Sequence, residues 1–322
     1  MRNTMKITIL DAATLGADLD LSPLYTLGIV EIYQTTSVED VVLRLQNSSV
    51  AILNKVKMTE SILRALPNLK LICIAATGYD NVDVAACRKL GIAVCNVEGY
   101  SSPSVAQLTL SMALSLYTHL PEYHAHVESG AYTRGNVQNC LVPVYHELAG
   151  KTWGIIGFGN IGMQVGTVAR AIGCRVLVCK RTEIDGWDNV SLDELLSQSD
   201  VISIHVPLND GTRGMIDARA LSLMKPGAML INVARGAVLD EQAVVDSLLS
   251  GRLGFFGCDV YSTEPFPEEH PYARLKGMTN VCLTPHMAWG SYESRVRCLS
   301  EIILNIQAFC AGELRNRVDL KF

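Results

Sequence analysis

Gly157, Gly159 and Gly162 in "GIIGFGNIG" keep the spacing G-x-G-x-x-G between a strand-like run, "TWGIIGF", and a helix-like one, "NIGMQVGTVARAIG". In that context the first glycine permits a tight turn. The second lets backbone approach a pyrophosphate, and the third lets helix and strand pack closely. Phe158, Asn160 and Ile161 complete the turn, and the helix N-terminus would face the phosphates. A ligand-free strand–helix turn is the blander reading. The next strand, "CRVLVC", ends at Cys179, and Lys180 follows Gly162 by 18 residues. An Asp or Glu about 20 residues on would hold a ribose 2′-hydroxyl. Lys180, Arg181 and Thr182 stand there instead. Lys180 and Arg181 cannot accept a hydrogen bond, but they can pair with a 2′-phosphate. This favours NADP(H) as cofactor. NAD(H) stays open if both cations are merely solvated.

Three later stretches each place a polar group at or just after the end of a predicted strand. They are Arg235 in "LINVARGAVLDE", Glu264 in "GCDVYSTEP" and His286 in "CLTPHMAWG". Hydride transfer to a ketone leaves an alkoxide that needs a proton, and histidine can supply it near neutral pH. A carboxylate beside the ring favours the imidazolium and fixes its orientation. An arginine fork can hold a substrate carboxylate and polarise the neighbouring carbonyl. Singly, each could be a structural histidine, a turn residue before Pro265 or a helix-capping arginine. Together, downstream of a dinucleotide loop, they read as a catalytic set.

Such groups need a rigid frame. "KITIL", "VAILN", "LKLICIAA" and "IAVCNV" read as strands, alternating with helices "SVEDVVLRLQ", "TESILRALP" and "VDVAACRKLG", for which Ser37 and Thr59 are candidate N-caps. The second half repeats the rhythm with "DVISIHV", "AMLINVA", "GFFGCDV" and "VCLTPH". Between them lie "SLDELLSQ", whose Ser191 and Glu194 fit a capping box, and "DEQAVVDSLLSG", opened by Asp240 and closed by Gly251. Strand–helix alternation predicts parallel sheets covered on both faces. The helix from Ser102 through "VAQLTLSMALSLY" toward His124 is apolar around much of its circumference. It reads as a subunit interface or, more plainly, as a central helix.

With 322 residues, two domains fit; 49% hydrophobic residues allow substantial cores. A net charge of −5 and a pI near 5.8 argue against general nucleic-acid binding. The ten cysteines show no CxxC or regular spacing, so reduced thiols in a cytoplasmic protein are expected, with neither disulfides nor a metal site. "MRNTMKITILD" has no signal-peptide layout, and no run is long enough to span a bilayer.

The ordered stretches "ATGYDNVD", "GYSSPSVAQLTL", "GFGNIG", "HVPLNDGTRGMI", "INVARGAVLDEQAV", "DVYSTEP" and "TPHMAW" cover nearly the whole chain. On these the sequence resembles the D-isomer-specific 2-hydroxyacid dehydrogenases, and most of all the glycerate dehydrogenases, also called hydroxypyruvate reductases. The resemblance implies an α/β fold of two Rossmann-like domains with parallel sheets. The cofactor domain, residues 99–288, would be inserted into a substrate domain of residues 1–98 and 289–322. It implies a cleft that closes on substrate, and a homodimer through the cofactor domain. His286 would be the acid/base, Glu264 its partner and Arg235 the substrate clamp. Ala76, Thr77, Gly78 and Tyr79 would offer backbone N–H groups to the substrate carboxylate. His205, Val206, Pro207, Thr212, Val233 and Ala234 would line the cofactor, with Asp259 and His286 near the nicotinamide.

The substrate implied is a small 2-keto acid such as hydroxypyruvate or glyoxylate, reduced to a D-2-hydroxy acid. A reductase of bulkier keto acids such as phenylpyruvate, or a nucleotide-sensing corepressor-like protein, are the alternatives. Lys180 departs from the family's usual acid, Glu98 from its common proline and Gly214 from a frequent histidine. Glu264, in place of an amide, argues against the formate dehydrogenase branch.

Overall fold

The computed structural model describes residues 5–321; the polar lead of the N-terminal stretch, residues 1–4, and residue 322 lie outside it. The inner apolar runs, such as "VAIL", "LICI", "VISI" and "AMLIN", form strands buried along their length, as parallel strands covered on both faces must be. The chain divides into two units, Met1–Ser101 with Gly290–Phe322, and Ser102–Trp289.

The first unit contains β1 (Lys6–Ile9), β2 (Ile29–Ile32), α1 (Val41–Leu45), β3 (Val50–Leu53), α2 (Glu60–Arg64), β4 (Leu71–Ile74), α3 (Val84–Leu90) and β5 (Ala93–Cys95). Its sheet is all parallel, in the order β2-β1-β3-β4-β5. β2, "IVEI", was not anticipated. It is an edge strand with Ile29 exposed, so it lacks the continuous apolar signature of β3 and β4. Asp83 caps α3 by accepting from Ala86 N. Ser37 and Thr59 occupy N-cap positions, but their side chains make no capping bond; Thr59 pairs with the Ser61 hydroxyl instead.

The second unit opens with α4 (Ser102–Thr118), α5 (Leu120–Glu128) and α6 (Ala131–Arg134). Then come β6 (Thr152–Ile156), α7 (Asn160–Ala171), β7 (Arg175–Cys179), β8 (Asp188–Asn189), α8 (Leu192–Gln198) and β9 (Val201–Ile204). The unit ends with α9 (Ala218–Leu223), β10 (Ala228–Asn232), α10 (Glu241–Leu249), β11 (Leu253–Cys258) and β12 (Val281–Leu283). The sheet runs β12-β11-β10-β9-β6-β7-β8, all parallel. The capping box at Ser191 is formed, and Asp240 caps α10 through Ala243 N. The long C-terminal helix α11 (Tyr292–Ala311) belongs to the first unit and packs on β4.

α4 is the central helix of the second unit. Val105, Ala106, Met112, Ala113 and Leu116 are buried, and the helix packs on α7 and on β10 to β12. A side chain at Gly257 would crowd Met112, at 3.2 Å from its sulfur. One face of α4 is thus used inside its own unit, while Leu114 on another side is exposed. The helix ends sooner than its pattern suggests, at His119 with φ +51°, and α5 restarts over Leu120–Pro121.

Both sheets change direction beside their first strand. In one, the chain runs outward from β1 to β2 and then places β3 on the other side of β1. In the other, it runs outward through β7 and β8 and returns with β9 beside β6. Such switch points leave a crevice at the strand C-termini, where α/β sheets bind ligands.

Candidate active site

The predicted site residues of the second unit follow the C-terminal ends of adjacent strands: β7, β6, β9, β10, β11 and β12. The glycine turn sits at the β6/β9 switch point. Gly157 has φ +91°, and a side chain there would strike the His205 backbone at 2.8 Å. A Cβ at Gly162 would lie 2.3 Å from the Gly157 carbonyl, so this glycine lets α7 close on β6. Gly159 differs: a Cβ there would meet nothing within 4 Å. Its space is open at the N-terminus of α7, which Asn160 and Ile161 begin, where first-turn N–H groups attract an anion. Phe158 is buried and packs edge-on against Trp187 at 4.7 Å, so only its backbone can face a ligand.

Gly157 N donates to the Cys179 carbonyl at 3.0 Å, which sets the end of β7 beside the glycine turn. Cys179 is half-buried, and Lys180, Arg181 and Thr182 that follow are exposed. Asn189 anchors the loop beyond: it accepts from Ile184 N and donates to the carbonyls of Ile184 and Trp187. The Arg170 guanidinium lies 3.6 Å over the Trp187 ring.

His205 N donates to the Ile156 carbonyl at 2.7 Å, placing His205, Val206 and Pro207 against the glycine turn. Ser203 Oγ accepts from Trp153 Nε1 and lies 3.0 Å from His205 Nε2. Burial pushes the imidazole down to about 3, so the ring is neutral in ordinary buffers. Its Nδ1 is buried without a hydrogen-bond partner among the described residues. Thr212 Oγ1 donates to the Pro207 carbonyl and accepts from Asn209 N, bracing that loop. Gly214 has φ +61°, which explains a glycine there in place of a side chain. An open Gly159 and an orphan His205 nitrogen on one crevice fit a dinucleotide.

Arg235 is reached through Val233 and Ala234 from β10. The buried Asn232 ends that strand, accepting from Ala234 N at 3.0 Å and donating to the Arg235 carbonyl at 2.9 Å. Arg235 Nη1 donates to the Ala234 carbonyl. Any side chain at Gly236 would fall 2.0 Å from the Tyr261 backbone, so this turn lies directly against the turn after β11. That second turn carries Glu264. One oxygen of Glu264 accepts from Tyr261 N at 3.0 Å, and the other lies 2.6 Å from His286 Nδ1.

His286 has φ +52°, a left-handed conformation that costs a non-glycine residue about 1–3 kcal/mol. Asp259 imposes it. Its buried carboxylate accepts from Thr284 Oγ1 at 2.6 Å, Met287 N at 2.8 Å and Ala288 N at 2.8 Å, on both sides of the histidine. Burial raises the Asp259 carboxyl above its ordinary value, and these three donors pull it back. Asp259 is therefore occupied in holding the loop.

Ala76–Tyr79 lie in the first unit, after β4. Thr77 Oγ1 donates to the Val97 carbonyl, and Asn96 Nδ2 to the Thr77 carbonyl, so the loop is fixed there by side chains.

Sequence reasoning missed Asn232, Tyr261 and Thr284. Tyr261 OH donates to the Thr284 carbonyl at 2.8 Å, tying the Glu264 turn to the His286 turn. A signal existed for the first: an Asn closing the apolar run "AMLIN" must find partners when buried. Nothing local marks the other two.

A dinucleotide crevice sharing one sheet edge with a hydrogen-bonded His–Glu pair defines a nicotinamide-dependent oxidoreductase. Residues 110–288 match the model of the D-isomer specific 2-hydroxyacid dehydrogenase, NAD binding domain. Over 98% of its length the chain is 36% identical to the whole of a hydroxypyruvate reductase from Blautia hydrogenotrophica. It is also 38% identical over 90% of its length to a glycerate dehydrogenase from Methylorubrum extorquens, covering 91% of that protein. Among solved structures, an acyclic imino acid reductase in complex with NADPH and D-Arg matches at 29% identity with a TM-score of 0.86. That match covers 98% of this chain and all of the other. A D-lactate dehydrogenase from Aquifex aeolicus, complexed with NAD and lactic acid, matches at 30% with 0.83, covering 98% and 97%. The chain belongs to the D-isomer-specific 2-hydroxyacid dehydrogenase family. Among the described residues, no helix is long and apolar enough to cross a membrane.

Proposed function

We propose that this protein is an NADPH-preferring cytoplasmic reductase of small 2-keto acids of the hydroxypyruvate and glyoxylate type, working as a homodimer. The observation that carries the chemistry is the His286–Glu264 pair, 2.6 Å apart, on the same sheet edge as the glycine turn. The names of the relatives, hydroxypyruvate reductase and glycerate dehydrogenase, support the substrate class.

The glycine turn from Gly157 to Gly162 holds the pyrophosphate, and the residues from His205 to Thr212 and at Val233 and Ala234 line the dinucleotide. The bound cofactor supplies the hydride. Arg235 holds the substrate carboxylate and polarises the carbonyl beside it. His286 gives a proton from Nε2 to the new alkoxide, while Glu264 on Nδ1 stabilises the imidazolium and sets the tautomer. The N–H groups of Ala76–Tyr79 serve the substrate carboxylate.

For the cofactor, Lys180 and Arg181 read the 2′-phosphate. Support comes from the absence of a carboxylate at residues 179–182 and from the Gly157–Cys179 bond that sets this stretch by the turn. For the dimer, support comes from exposed apolar side chains in the arm after α4: Leu120, Val127, Val137, Leu141, Val142 and Val144. So many exposed large apolar side chains within residues 120–144 fit an interface. The free cysteines, most of them buried, fit a reducing compartment.

The test is kcat/KM for hydroxypyruvate with NADPH and with NADH. An NADPH advantage of about tenfold or more, roughly 1.4 kcal/mol, that reverses in Lys180→Asp supports the reading. An NADH advantage in the native protein refutes the role of the two cations.

A further inference from the structure

Outside the set just described lies a second His–Glu pair. Glu241 is the first residue of α10, and His270 precedes a short 3-10 turn, Pro271–Leu275. Both side chains are nearly inaccessible, at 10% and 5% exposure. A buried carboxylate and imidazole are costly unless their polar atoms are used. Glu241 Oε1 accepts from Ser262 N at 2.9 Å, and Oε2 accepts from Ser262 Oγ at 2.5 Å. His270 Nδ1 accepts from Tyr272 N at 3.2 Å, which leaves its ring proton on Nε2; that buried nitrogen lies 3.0 Å from Glu241 Oε2, a close charge contact without hydrogen-bond geometry. The imidazole also stacks on Phe266, with centroids 4.8 Å apart and planes tilted by 32°.

Ser262 and Phe266 stand two residues before and two residues after Glu264. The pair therefore grips the catalytic turn on both sides of the carboxylate that meets His286. We propose that Glu241 and His270 are positioning residues: their contact holds the turn 262–266 so that Glu264 stays aligned on His286 Nδ1. Glu241 gains its place from the Asp240 cap, which starts α10 one residue earlier. The turn bearing Arg235 leads into the same helix. One buried pair thus ties the arginine-bearing segment to the carboxylate-bearing one.

The inference rests on the roles of Glu264 and His286 proposed above, and a double-mutant cycle separates the two. Glu241→Gln keeps the shape but turns an amide donor toward Ser262 or His270. It is expected to lower kcat for hydroxypyruvate about tenfold, with KM for NADPH within about twofold and the thermal midpoint near native. In a Glu264→Gln background the same change is expected to cost less than about twofold, because the alignment it serves is already lost. Ser262→Ala, which removes one exposed hydroxyl, should show the same pattern at about threefold. Equal losses in both backgrounds would mean a merely structural pair and overturn the proposal, as would native kcat in Glu241→Gln. Native kcat in Glu264→Gln itself would overturn the catalytic assignment and the inference with it.

Discussion

The two units use the same topological feature in opposite ways. At the β1/β3 switch point the first unit carries its own anion. The buried Asp11 carboxylate accepts from Asn54 N at 2.9 Å, Lys55 N at 2.6 Å and Val56 N at 3.2 Å, closing the crevice with a side chain. At the β6/β9 switch point of the second unit stands Gly159, with open space where a Cβ would be. One crevice is satisfied from within, and the other presents backbone donors to an anion from outside. The second unit also uses the internal device, but elsewhere: Asp259 holds the turn of His286. A buried carboxylate spent on backbone N–H groups makes a rigid loop, and what the loop carries decides whether it is scaffold or machinery.

The comparison breaks most sharply at the two carboxylates. In Asp259→Asn the new amide must face a backbone N–H of the His286 turn. We expect kcat to fall by about 10²-fold, in the range of a misplaced general acid. Asp11→Asn introduces the same conflict in a loop without catalytic groups. The expected loss is about 2 kcal/mol in urea stability, with kcat within threefold. Equal kcat losses in the pair of variants would erase the distinction.

Acid should also separate the units. His205 belongs to the second, and its folded value of about 3 lies below the ordinary 6.5. The unfolded chain therefore binds the extra proton first. The stability this group lends is present above pH 6.5 and is lost as pH falls toward 3. Burial raises Asp11 and Asp259 instead, which opposes that loss. Hydrogen exchange at pH 4.5 should show the second unit opening first. His205→Gln should recover about 2 kcal/mol of its pH-dependent loss. No gain at low pH would place the acid-sensitive group elsewhere.

The smallest effect is at the open crevice. Gly159→Ala has room for its methyl group, so the thermal midpoint should stay near native. The KM for NADPH should rise about tenfold, because the methyl occupies space that the pyrophosphate needs. A lowered midpoint with unchanged KM would show the space to be structural.

Much of this was legible in the residues. Parallel strands such as "VAIL" and "LICI" announce themselves because both faces are buried. The glycine turn carries its own geometry, and Ser191, Asp240 and Gly251 punctuate their helices as expected. β2 and the two-residue β8 were not, since an edge strand needs no continuous apolar run. The apolar helix after Ser102 was ambiguous for a related reason: pattern shows that a surface is buried, not what buries it.

The sequence by itself determined most of the order of elements and the two glycine-dependent contacts at Gly157 and Gly162, and it singled out Arg235, Glu264 and His286 as candidates, because each depends on local spacing. Tertiary structure decided which groups meet. Glu264 reaches His286 across 22 residues, Asp259 reaches Ala288 across 29, and Glu241 reaches Ser262 across 21. Those pairings follow from β10, β11 and β12 lying side by side with their C-terminal ends together. Neighbour choice in a sheet is set by packing of the whole unit, and no local pattern encodes it.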